Sequence, residues 1–199
     1  ERGEVKITGS GEGAIKVWYL NYNAMAFLTV PFVNDVKREV FASAERRNFL
    51  DDLANEKLAA LKLPPSPKCD DSTFLRRAFL DTIGTLPTIE ETKAFLDSAD
   101  PAKRAKLIDR LLGLTGDPTL DTFNDAYAAW WALKWSDLLR NNSNDLGDQG
   151  MWAMHNWIRE SFRINKPFDK FVRELITARG SIYSAGPANY FRIHKDSSM

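Results

Sequence analysis

Between residues 70 and 180 helix start and stop signals recur along the chain. Asp71 and Ser72 stand ahead of Phe74, Leu75, Ala78, Phe79 and Ile83, a set closed by Gly84. Thr88 and Glu91 have the spacing of a capping box, in which each side chain satisfies the other's backbone N–H. Asp100-Pro101 and Asp117-Pro118 set a capping acid before a proline, and proline suits the first position of a helix. Gly113 and Gly180 end the runs before them. Between these marks apolar residues recur at three and four, the period of a helix with one buried stripe. Such stripes are stable only against one another. The pattern predicts a mainly α, multi-helix domain of about seven helices, among them 119–140 and 149–164, joined by a polar loop at 141–150.

The first residues follow another rule. Val5, Ile7, Ile15, Val17, Tyr19, Ala26, Leu28 and Val30 alternate at period two, with glycines at 9, 11 and 13 and asparagines at 21 and 23. This is a small N-terminal antiparallel β element of short strands. The expected organisation is a β element at 1–33, a connector and first helix at 34–68, and a helical domain at 69–199. Residue 1 is Glu, and the last residues carry no helix stop, so the chain is expected to be a piece of a longer polypeptide.

Lys and Arg number 27 and Asp and Glu number 27, so no basic surplus exists to neutralise phosphates. Nucleic acid is not an expected partner. No apolar run reaches the ~20 residues that cross a bilayer, so no transmembrane segment is expected. Cys69 is the one cysteine, which excludes an intrachain disulfide and a Cys-x-x-Cys-His haem attachment within these residues. Asp70 and Asp71 disfavour its thiolate, so Cys69 is read as structural rather than nucleophilic.

Two groups remain as candidate sites. Asn142, Asn144, Asp145 and Asp148 supply oxygen-bearing side chains in the 141–150 loop, a composition calcium accepts, although the spacing is not that of an EF-hand. His155 and His194 are the only imidazoles. Trp130, Trp131, Trp135, Trp152 and Trp157 fit either a core or a sugar-stacking platform. Trp131, Trp135 and Trp157 are expected mostly buried, and Leu138 is expected in the core.

Several strings occur together. They include Phe74-Leu-Arg-Arg-Ala-Phe-Leu-Asp-Thr-Ile-Gly-Thr-Leu-Pro-Thr88, Trp131-Ala-Leu-Lys-Trp-Ser-Asp-Leu-Leu-Arg140, Asn165-Lys-Pro-Phe-Asp-Lys-Phe-Val-Arg-Glu-Leu175 and Pro187-Ala-Asn-Tyr-Phe-Arg192. In this order they resemble the domain of unknown function associated with planctomycete-type cytochromes c, over about residues 40–196. The Gly11–Pro31 segment resembles the strand pair that leads into this domain after a bacterial Ig-like module.

The resemblance implies a periplasmic or extracellular bacterial protein. It also implies a helical module that shields or docks a haem-bearing segment lying outside this chain. In the family a Cys-x-x-Cys-His motif usually follows the 187–192 string, so the helical domain is expected to be C-terminally truncated here. Haem c is then expected in the adjoining segment or a partner chain, with His155 or His194 as candidate axial ligands. Residues 181–196 are expected to leave Ile182, Tyr183, Tyr190, Phe191 and Ile193 for that continuation, or another subunit, to cover. The alternative reading is a secreted polysaccharide-acting enzyme or carbohydrate-binding domain using the Trp group and a carboxylate pair.

Overall fold

The computed structural model describes residues 5–193, which divide into two compact units, residues 1–68 and 69–199. His194 lies outside the described residues.

In the first unit β1 (Gly11–Tyr19) pairs antiparallel with β2 (Tyr22–Val30), with Ile15 opposite Ala26 and Val17 opposite Ala24. The turn places Leu20 at φ 52, in the left-handed region. Residues 5–8, read from their alternation as a further strand, form none. Two short helices follow, α1 (Arg38–Ala42) and α2 (Phe49–Leu61). Asn48 and Asp51 form a capping box at the start of α2. The ribbon's exit is tied to the end of α2 by the Phe32 N–H donating to Leu61 O at 3.0 Å. Lys57 on α2 pairs with Glu12 on β1.

The second unit runs α3 (Asp71–Ile83), α4 (Ile89–Asp97), α5 (Lys103–Leu112), α6 (Asn124–Leu138), α7 (Ser143–Arg163) and α8 (Phe168–Thr177). A 3-10 turn (Gly186–Ala188) then leads into α9 (Asn189–Ile193). Nine α-helices therefore stand among the described residues against about seven expected. The additions, α1 and α9, are five residues each, too short to show a periodic stripe.

Several boundaries differ from the sequence reading, each for a local reason. The α3 cap is Asp70, whose carboxylate accepts the Thr73 N–H at 2.7 Å. Asp117-Pro118 starts a turn rather than a helix, because Asp117 Oδ1 accepts both the Thr119 N–H and its hydroxyl. The helix therefore begins at Asn124. Residues 143–150, expected as loop, are helical. Asn142 caps them by accepting the Asp145 N–H at 3.0 Å, and Leu146 is buried beneath them. Gly147, at φ 67 and ψ 164, breaks the axis there, so α7 is two helices set end to end.

Two buried clusters form the interior of this unit. Leu75, Phe79 and Ile83 of α3 meet Phe95 of α4 and Leu107 and Leu111 of α5, with Phe123, Ala126 and Tyr127 packed against them. Ala132 of α6 meets Leu146, Met154 and Ile158 of α7, Leu175 of α8 and Ile193 of α9. The helix α6 serves both, and its Trp131 Nε1–H donates to Thr82 O of α3 at 3.1 Å. Asp71 fixes α5 to the start of α3 through Lys103 and Arg104, each at 2.7 Å. The α6–α7 hairpin is antiparallel: Asn141 Nδ2 donates to Met151 O at one end, and Asp125 pairs with Arg159 at the other.

Trp131, Trp135 and Trp157 are mostly buried, as expected, each keeping a partly exposed edge. Leu138 is 70% exposed, which corrects its assignment to the core; it lies on the side of α6 away from Ala128 and Ala132. The 181–193 segment also differs from expectation. Ile193 is 9% exposed and part of the second core, and Ile182 and Tyr190 are half-buried, leaving Tyr183 and Phe191 exposed.

Candidate functional site

A cleft of the second unit lies between α7, α8 and the segment leading into the 3-10 turn, with a volume of about 720 Å³. Ala153, Asn156 and Trp157 share one face of α7, as the three- and four-residue spacing requires. Glu174 and Thr177 face them from α8, and Tyr183 closes one side. The segment is held against α7 by close backbone packing at Gly186, where a Cβ would stand 2.4 Å from Ala153 O. Asn189, wholly buried, donates through Nδ2 to Ile182 O at 2.7 Å and Gly186 O at 3.0 Å. Arg192 Nη1 donates to Leu146 O at 2.9 Å, next to the break in α7.

Two charged residues line the cleft, Arg179 and, facing Trp157, Glu174. Its carboxylate accepts from Lys166 Nζ and from Trp157 Nε1–H at 3.0 Å. The ammonium first, and the indole N–H second, hold its pKa below the usual carboxylate range. At neutral pH Glu174 is thus a charged acceptor and does not suit a general acid. Trp157 is not a free stacking platform, because one face lies on Phe171 with centroids 4.5 Å apart. Trp135 packs among Phe162, Phe168 and Phe171, and Trp131 among Tyr127 and Phe162. Trp152 alone of the group is strongly exposed, at 56%, on α7 next in sequence to the cleft-lining Ala153.

His155 is half-buried and sits edge-on to Trp152, centroids 5.4 Å apart. Burial first, and the Arg159 charge second, push its pKa below the ordinary imidazole value, so the ring is neutral at pH 7. A neutral imidazole is the ligating form, but residue 155 lies on a different face of α7 from the cleft-lining 153, 156 and 157. With one described histidine and one cysteine, these residues offer haem a single axial nitrogen and no thioether pair.

The four oxygen-bearing residues read as a calcium loop are placed by the helical start of α7. Asn142 is engaged as the cap, and its Nδ2 donates to Asp145 Oδ2 and Arg140 O, each at 2.8 Å. Asn144 and Asp145 lie exposed before the Gly147 break in α7, and Asp148 lies exposed after it. Among the described residues no group of three or more His, Cys, Asp or Glu is placed to hold a metal ion. Cys69 is half-buried and unpaired, with its carbonyl accepting from Arg104 Nη2 at 2.9 Å.

Glu174, Lys166 and Asn189 had no place among the sequence candidates. Lys166 and Glu174 are eight residues apart across the Pro167 start of α8, and no helical spacing rule pairs them. Asn189 follows a 3-10 turn that has no periodic signal.

These features define a two-core helical domain with an open lateral cleft and, in the unit before it, a two-stranded ribbon. The family described as PSCyt2, protein of unknown function (DUF1549), matches residues 49–197, and the chain belongs to that family, a domain of unknown function associated with planctomycete cytochrome c. No curated protein and no solved structure matches the chain.

Proposed function

We propose that the helical unit is a docking module of a periplasmic or extracellular c-type cytochrome-linked protein. It receives a haem-bearing segment that lies outside residues 1–199. The observation that carries the reading is the α7–α8 cleft: an open concavity with an aromatic and apolar wall, a charged acceptor in Glu174, and exposed Trp152 and Tyr183 beside it. Partly exposed aromatics around a concavity are the usual anchors of a protein contact. The family's association with cytochrome c supports the class of partner. No helix among the described residues is long and apolar enough to cross a membrane, which accords with that setting. In this reading haem c belongs to the partner, and His155 stands as a flanking residue rather than a ligand.

The test is titration of the isotope-labelled chain with a purified c-type cytochrome module from the same polypeptide. A ferric, paramagnetic haem should broaden the Trp157 and Trp152 indole N–H signals before those of Trp131. Unchanged signals at millimolar partner would overturn the proposal.

The polysaccharide reading retains one observation, the exposed indole of Trp152. Saturable quenching of Trp fluorescence by soluble oligosaccharides, lost in Trp152→Ala, would put it in place of the docking reading.

A further inference from the structure

A second pocket, of about 460 Å³, opens between α3, α4 and α5. Its floor is the first core: Leu75 and Phe79 of α3, Phe95 of α4 and Leu107 of α5, each under 10% exposed. A concavity of this volume with an apolar floor is within the size range of small-molecule sites, although its rim is strongly polar.

Six charged residues surround it, and their pairing is unequal. Asp100 is paired with Lys106 at 2.6 Å. Lys103 is paired with Asp71 at 2.7 Å and donates to the Phe95 and Ser98 carbonyls. Glu91 accepts the Thr88 N–H at 2.8 Å in its capping box. Glu90 is exposed in the first turn of α4, where a helix start favours an acid.

Arg110 differs from all of these. Its guanidinium lies over the Phe123 ring, 5.0 Å from the centroid, and forms no ion pair or hydrogen bond among the described residues. Its Nε is buried without a partner. A half-buried cation left without an anion beside an apolar pocket has an unmet electrostatic demand. A guanidinium is planar and can pair with a carboxylate through two parallel N–H donors.

We propose that this pocket binds a small apolar molecule carrying one carboxylate. The carboxylate pairs with the Arg110 guanidinium, and the apolar body lies on Leu75, Phe79, Phe95 and Leu107. The chemistry of the rim selects the class. Lys103 and Lys106 are already neutralised, so a single positive charge faces the ligand. Asp100 is neutralised with Lys106, while Glu90 and Glu91 form no ion pair among the described residues and so disfavour a dianion such as a phosphate ester more than a monoanion. This site is separate from the α7–α8 cleft, and its test does not depend on cytochrome docking.

The experiment is calorimetric titration of the 199-residue chain at pH 7 with octanoate, octylammonium and octyl phosphate. Octanoate should bind at one saturable site, at least about tenfold more tightly than either comparator. Arg110→Gln should weaken octanoate by about tenfold or more and remove the preference over octylammonium. Ala94→Trp adds bulk at an exposed position of the pocket's lining and should abolish binding with an unchanged circular dichroism melt. Equal binding of octanoate and octylammonium to the parent chain overturns the proposal. So does octanoate binding that survives Ala94→Trp, or the absence of a saturable site.

Discussion

The indole of Trp157 lies flat against the ring of Phe171, with centroids 4.5 Å apart and planes 20° apart. This contact joins α7 to α8, and Trp157 also lines the cleft. Phe171 is 3% exposed and also touches Trp135, Phe162 and Phe168. Phe171→Ala should cost about 3–5 kcal/mol, as removal of a buried aromatic does. Trp157→Phe keeps a ring against Phe171 but loses the N–H to Glu174 and part of the packed indole area, so it should cost about 1–2 kcal/mol. Urea midpoints of the two variants check the order, and a reversed order would sink the assignment.

His155 gives a pH dependence with a definite sign. Its folded-state pKa lies below the ordinary value, because burial and Arg159 oppose its charge. The folded form therefore binds its proton less readily than the unfolded chain. The stabilisation is present above about pH 6.5 and is lost as pH falls below it. The melting temperature should drop between pH 7 and 5, and His155→Gln should drop less over the same interval.

Asp71 acts in a lower window. The Lys103 ammonium, then the Arg104 guanidinium, hold its carboxyl below the usual range. Its contribution is present above about pH 4 and fades as pH falls through the lowered value. Asp71→Asn should lower the melting temperature at pH 7 and flatten the acid limb below pH 4. An acid limb identical to that of the parent chain would count against the ion-pair role.

Gly84 ends α3 at φ 71, and a Cβ there would stand 2.3 Å from the Trp130 ring. Left-handed backbone and ring overlap both oppose a side chain, so Gly84→Ala should destabilise by about 2–4 kcal/mol. A change under about 0.5 kcal/mol would mean that the ring moves freely.

Leu138 supplies a negative control. At 70% exposure it leaves no cavity when truncated, so Leu138→Ala should stay within about 0.5 kcal/mol of the parent. A loss of several kcal/mol would show that something covers this face of α6 in solution.

Much of the helical order was legible because its signals are local. The Thr88–Glu91 box forms as written, and Gly84 and Gly113 stop their helices in the left-handed region. Leu138 misled because α6 has apolar residues around much of its circumference, so periodicity could not say which were covered. Residues 143–150 misled because Leu146 is their one large buried side chain, and polar composition spoke for a loop. The cleft was illegible because it is assembled from pairs distant in sequence: Trp157 with Glu174, and Ala153 with Gly186.

The two buried clusters are also separate along the chain. Everything in the first lies between Phe74 and Tyr127, and everything in the second between Ala132 and Ile193. A nascent chain leaving the ribosome can therefore close the first core when the opening turns of α6 emerge, before most of the second has been synthesised. The second half then condenses on a helix already anchored at one end, and the exposed aromatics of the cleft are the last surface to be built.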